Sequence, residues 1–113
     1  MKAVTVRYLR ARGACADQVD LFIKTFGKKA ELTRGNLVKA ALVDLDLQWL
    51  AIWGQHSGVR YHIFERGCAQ ARYARDYARA WVHTQSDPDM MVTADRNYAK
   101  AVGNALADAW GLP

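Results

Sequence analysis

The chain has little cysteine: Cys15 and Cys68 are the two among its 113 residues. A disulfide framework needs a denser set in a secreted protein, so a packed core must hold this fold. Long apolar runs are missing as well. The longest candidate, Leu37 to Trp53, is interrupted by Lys39, Asp44 and Asp46, short of the ~18 uncharged residues that mark a membrane span. The opening Met-Lys-Ala-Val-Thr-Val-Arg has no apolar stretch of the signal-peptide kind, so the cytoplasm is the expected compartment.

Metal and nucleotide signatures are absent too. Cys-x-x-Cys, His-x-x-x-His and His-Glu-x-x-His do not occur, and the available ligands (His56, His62, His83, Cys15, Cys68 and scattered carboxylates) follow no zinc spacing. Neither Gly-x-x-x-x-Gly-Lys-Ser/Thr nor Gly-x-Gly-x-x-Gly is found, so no metal and no cofactor is expected. A formal charge of +5 argues against mimicry of DNA by acidic side chains. It permits attraction to nucleic acid or to an acidic protein surface, although the basic residues run from Lys2 to Lys100 and form no single block.

What is present is ordinary globular material, with half of the residues apolar and four Trp, five Tyr and three Phe as anchors. At this length the expectation is one compact domain over residues 1–113, mainly α, a bundle of four to five helices. A short N-terminal strand is an optional addition. Val4 to Tyr8 alternates as a strand does, with Ala30–Thr33 or Val59–Ile63 as its candidate partner. Val19, Phe22, Ile23 and Phe26 mark one face of a helix over residues 14–26, ended by Gly27. Thr33 is placed to cap a second helix.

The Asp44/Asp46 pair breaks the following pattern, with Asp46 capping a short helix through Trp49, Leu50, Ile52 and Trp53. One continuous helix, or a strand over residues 43–49, is the alternative. Gly54 to Gly58 reads as a loop. The longest helical pattern spans about Tyr61 to Thr84, with Phe64, Cys68, Ala71, Ala74, Ala78 and Trp81 as its inner stripe. Arg72, Arg75 and Arg79 share one flank of it, and Tyr73 and Tyr77 the other. Ser86 to Asp89 is turn chemistry, after which Thr93 caps a final helix carrying Tyr98, Ala101, Val102, Ala105, Leu106, Ala109 and Trp110.

Candidate chemistry is thin. Cys15, in the first turn of its helix, is a conceivable nucleophile if His62 or His83 approaches it. A small buried residue fixing the helix start is the commoner role. Asp44 and Asp46 suit a break and a cap better than acid–base work. The arginine flank, with Arg60 and Arg66 upstream, can pair with phosphate or carboxylate, or stay solvated; Asp76 and Glu65 dilute its field. A helix-turn-helix over residues 33–53 is poor, because its second helix offers Asp46, Trp49, Ile52 and Trp53 to the bases.

Gly13-Ala14-Cys15, then Gln18, then Phe22 and Phe26 four apart, then Gly27, resembles the start of a family of short phage and prophage proteins of unassigned activity. The likeness continues through Leu32-Thr33 and Asp46-Leu47-Gln48-Trp49-Leu50-Ala51, and covers about Leu9 to Trp53. The alanine-rich stretch Ala69 to Ala80, with Arg and Tyr, fits such proteins too. Physically the motif is scaffold: Gly13 frees a turn, Phe22 and Phe26 stack along the core side, and Gln18 can bond a neighbouring loop.

The resemblance implies phage origin and action in the cytoplasm of a bacterial host. The expected function is stoichiometric binding to a host protein or ribonucleoprotein, most sharply inhibition of a CRISPR–Cas effector (anti-CRISPR), with no catalysis. Arg72, Arg75, Arg79, Tyr73 and Tyr77 are the candidate partner-binding residues. The alternatives are a small basic nucleic-acid-binding regulator, or a phage structural or assembly protein that associates through Trp81 or Trp110.

Overall fold

The computed structural model describes residues 2–53, 58–85 and 88–113, with the side chains of residues 53, 82–85 and 88 outside the description. Of the loop expected at Gly54 to Gly58 and the turn expected at Ser86 to Asp89, residues 54–57 and 86–87 lie outside the described residues, as do His56 and the His83 side chain, while Gly58, Pro88 and Asp89 are helical. Among those described, a two-stranded antiparallel sheet, β1 (Ala3–Thr5) with β2 (Lys29–Glu31), accompanies six helices. These are α1 (Val6–Ala11), α2 (Ala16–Phe26), α3 (Arg34–Leu42), α4 (Leu47–Trp53), α5 (Gly58–Gln85) and α6 (Pro88–Ala109). The mainly helical class with an N-terminal strand pair is as expected.

The strand is shorter than its alternation suggested. Thr5 Oγ1 accepts a hydrogen bond from the Tyr8 N–H at 3.0 Å and caps α1, so Val6 to Tyr8 turn into helix. Ala30, and not the Val59–Ile63 segment, is the partner, opposite Val4 in the register. Both of these residues are buried. Residues 59–63 belong to α5, which begins at Gly58 and not near Tyr61.

Local signals elsewhere were reliable. Gly13 turns with φ of 76° and Gly27 ends α2 with φ of 80°, backbone that a side chain would strain. Thr33 caps α3 through the Asn36 N–H, and Asp46 caps α4 by accepting from the Trp49 N–H at 3.0 Å. Asp44, with φ of 67°, makes the break between them. Gln18 bridges this corner: its side chain donates to the Asp44 carbonyl at 3.5 Å and accepts from the Asp46 N–H at 2.9 Å. Phe22 and Phe26 lie 5.4 Å apart, centroid to centroid.

The start of the last helix departs from the expectation. Helix α6 begins at Pro88, five residues before Thr93, and the Thr93 hydroxyl donates back to the Asp89 carbonyl at 3.0 Å. Proline suits a first helical position, where no N–H partner is needed, and Asp89 in the first turn complements the helix dipole. The helix thus gains more than a turn at its N-terminal end.

Helix α6 is the axis of the core. Leu106 and Ala107 are fully buried within it, beside Phe64 and Cys68 of α5 and Leu37, Ala40 and Ala41 of α3. Each large apolar side chain so enclosed contributes ~1.5–3 kcal/mol. Two glycines set the approach distances. A Cβ at Gly67 would stand 2.6 Å from the Ala105 Cβ, and one at Gly103 would stand 2.6 Å from the Val38 Cα and 2.8 Å from the Leu37 carbonyl. The last turn of α6 is tied to α3 by Arg34, whose guanidinium donates to Asn104, Asp108 and the carbonyls of Leu112 and Pro113.

Gly103→Ala is expected to lower stability by ~1–3 kcal/mol, because backbone and not a movable side chain blocks the new methyl. Gly35→Ala, in α3 with nothing within 4 Å, serves as control and should be neutral or stabilising by ~0.4–1 kcal/mol. Paired urea denaturation curves measure both. Equal stabilities for the two variants would contradict the close α3–α6 contact.

Candidate interaction surface

Helix α5, with 28 residues, runs about 42 Å, close to the 46 Å longest dimension of the molecule. Its first half lies on the core through Phe64, Cys68 and Ala71. Its second half faces the N-terminal half of α6. Between Arg72 and Tyr98, Ala94 is the one buried residue among the side chains described. The two helices thus form an arm whose sides are open to solvent.

The inner line of α5 differs from the stripe read in the sequence. It continues Ala71, Arg75, Ala78, while Ala74 is exposed and Trp81 is 51% exposed. The step of three from Ala71 to Ala74 falls about 60° short of a full turn, which rotates Ala74 outward. Arg75 takes the inward place. Its guanidinium stacks on the Tyr98 ring at 4.3 Å and pairs with Asp76 at 3.3 Å.

This changes the standing of the arginine flank. Arg79 pairs with Asp95 of α6 at 2.6 Å, so Arg75 and Arg79 both clasp the two helices together. Arg72 is exposed and makes no ion pair among the described residues. The three arginines line an open groove of about 580 Å³, closed on the other side by Asp44 and Asp46 of the α3–α4 corner. With Asp95 also present, the groove is mixed in sign. It is therefore a weak attractor for a phosphate backbone.

The tyrosine flank is the open one. Tyr73 is 76% and Tyr77 60% exposed, on the side of α5 turned away from the core. Near the end of the arm α6 adds Met90, Met91 and Val92, each more than two-fifths exposed. These three were missed in the sequence because residues 88–92 were assigned to a turn and to the approach of a later helix. An apolar Met-Met-Val run beside an exposed aromatic row was the available signal. Trp110, by contrast, is buried at the C-terminal end of α6 and offers nothing to a partner.

Other candidate chemistry finds little support. Cys15 is the N-cap residue of α2, exposed and with no side-chain capping bond, so the buried-lock role does not hold. Extended backbone there, after the Gly13 turn, leaves the side chain outside the core. Cys68 is buried as expected, and burial pushes its thiol up to about 11, with Arg72 opposing the shift and Glu65 adding to it. His62 is exposed, 3.9 Å from Glu65. Among the described residues no three His, Cys, Asp or Glu side chains converge as a metal site.

An apolar hollow of about 100 Å³ lies between α2, α3 and α4, lined by Val4, Leu9, Phe22, Phe26, Leu37 and Leu50 among others. Ligand pockets commonly reach ~300 Å³ or more, so it is a packing gap. Among the described residues no helix is long and apolar enough to cross a membrane. Comparison with protein-family models, with curated proteins and with solved structures finds no match.

The two thiols should separate cleanly in the native protein. Under a thiol reagent near pH 8, Cys15 is expected to react promptly and Cys68 to wait for opening of the core. A rise from 9.0 to about 11 leaves Cys68 about a hundred-fold less thiolate below pH 9 than an ordinary thiol. Mass spectrometry of timed quenches reads the sites. Equal rates at both would contradict the burial of Cys68.

Proposed function

We propose that the chain is a phage- or prophage-type binding protein that occupies a surface of a host protein or ribonucleoprotein stoichiometrically and without catalysis. A CRISPR–Cas effector is the sharpest candidate partner. The observation that carries this reading is the arm of α5 and α6, which holds Tyr73, Tyr77, Met90, Met91 and Val92 in water. Exposed aromatic and methionine side chains are unfavourable to keep in a small domain unless something covers them. The Gly13-to-Gly27 motif adds the phage resemblance, and its residues are occupied in turns, caps and core.

Within this reading the five candidate contact residues divide. Tyr73 and Tyr77 meet the partner directly, and Arg72 adds a charged contact at the edge of the groove. Arg75 and Arg79 act on the arm itself, through Tyr98 and Asp95. A nucleic-acid role is the weaker reading for the same reason: two of its three arginines are already paired with carboxylates.

The test is a pull-down against purified CRISPR effector complexes, with target cleavage followed in parallel. Stoichiometric binding and lost cleavage are expected. Tyr73→Ala and Met91→Asp should each weaken binding about ten-fold or more, as truncation of an interface anchor does. Arg79→Ala should act chiefly on thermal stability, by under ~1 kcal/mol for so exposed a pair. No binding to any effector, together with no protection of phage from CRISPR immunity, would sink the assignment. Binding to nucleic acid alone, falling steeply with salt, would transfer it to the regulator class.

A further inference from the structure

The outer side of α5 carries a second pattern, independent of the one that faces the core. Val59, Ile63, Arg66, Gln70, Tyr73, Tyr77 and Ala80 follow one another at alternating steps of four and three. All seven are exposed, and Trp81 borders the row. That spacing is the 3.5-residue repeat of a helix seam that packs along another helix. Among the described residues α6 packs on the opposite side of α5, and Gln48 of α4 comes alongside only the N-terminal end of the row, lining a groove with Val59, Ile63 and Arg66.

We infer that this seam pairs with the same seam of a second copy, antiparallel, in a two-fold dimer. The inference rests on the reading of the arm as a protein-binding surface and names the occupant of its outer side. The row complements itself in one direction only. About a two-fold axis between Gln70 and Tyr73, Gln70 of each copy meets Tyr73 of the other. Arg66 then meets Tyr77, a guanidinium over an aromatic face. Ile63 meets Ala80 with Trp81 alongside. Parallel pairing would instead set Arg66 against Arg66, a like-charge contact within the seam.

Flanking residues favour close approach. Ala69 and Ala74, both exposed, border the central layers and carry little bulk on either side. The exposed surface is sufficient in amount. The three aromatics, at ~150–250 Å² each and half to three-quarters exposed, offer roughly 400 Å² per copy. Val59 and Ile63, 69% and 48% exposed, bring two copies to roughly 1,000–1,200 Å², the lower range of a specific interface. Interfaces of this size stand at the weak, transient end of the specific range, so association is followed over a wide span of concentration. Met90, Met91 and Val92 sit on α6, outside the seam, and stay open in the dimer; a host partner that contacts Tyr73 and Tyr77 takes the place of the second copy on the seam.

Sedimentation velocity or light scattering on the purified full chain, from ~1 µM to ~1 mM, decides the matter. The expected result is a reversible rise from the 12.7 kDa monomer to twice that mass. Tyr77→Arg faces Arg66 of the second copy and should keep the chain monomeric, with its helical circular dichroism unchanged because the position is exposed. The double variant Arg66→Glu, Tyr77→Arg should dimerise again, since the opposed charges now attract. A wild-type monomer across the range would overturn the proposal, and so would a dimer that survives Tyr77→Arg. Failure of the double variant to recover would overturn the antiparallel register. None of these readouts needs a host protein, so they stand apart from the pull-down that tests the binding function.

Discussion

The close approach of α6 to two neighbours at once is the constraint on which the rest of the molecule depends. Gly103 admits the backbone of α3, and Gly67 admits Ala105 of α6. Small side chains in these places bring three helix axes together, and Phe64, Leu37 and Leu106 fill the space that remains. A methyl group in either contact would push the helices apart and loosen all of those anchors together, since well-packed interiors yield little. The Arg34 guanidinium then holds the C-terminal end of α6 by meeting Asn104 and Asp108 within it and the carbonyls of Leu112 and Pro113 just beyond it, where a cation also suits the helix dipole.

From that constraint follows the shape of the second half. The body ends near Ala71 on α5 and Ala99 on α6, but both helices continue past it. Beyond the body no third element among the described residues encloses side chains, so a two-helix contact has to be held by what fits between two cylinders. Alanine at position 94 allows contact, the Arg75 guanidinium lies over the Tyr98 ring, and Arg79 reaches Asp95. Exposed ion pairs contribute little individually, ~0–1 kcal/mol. The arm is therefore held mainly by its own helical continuity with the core.

These two regions differ in how much the sequence discloses. Around α2, α3 and α4 the relevant partners are near in sequence or belong to turns: Gly13, Thr33 and Asp46 do what their residue types do in any chain. Even the Gln18 bridge followed from a polar residue facing a corner that needed donors and acceptors. Three features stayed hidden for physical reasons. Thr5 could serve equally as a strand residue or a cap, and the choice fell to the cap because three paired residues satisfy the short sheet. Pro88 competed with Thr93 as the helix start, and the helix took the longer option because α5 offered it a surface. Arg34 meets residues 70 to 79 positions away, which no local pattern encodes. The candidate surface was half legible: the flanks of α5 were separated correctly on the wheel, but which flank faces water depends on where α6 lies.

The position of α6 also bears on what the charge of the protein means. A net +5 suggests a polyanion partner only if the positive groups are free. On α5 the groups that looked most like a phosphate track lie toward Tyr98, Asp95 and the aspartates of the α3–α4 corner. Each arginine drawn into that groove leaves the opposite side of the helix to its remaining residues, among them Tyr73, Tyr77, Ile63, Val59 and Trp81 beside Arg66 and Gln70. Clasping the arm with arginine and exposing aromatics on its back are two aspects of one helical phase. Turning α5 by half a turn would bury the tyrosines and free the arginines, and would convert an aromatic open face into a basic one. Phe64 and Cys68, fixed against α6, prevent that rotation. The core therefore selects which face of α5 is open to solvent.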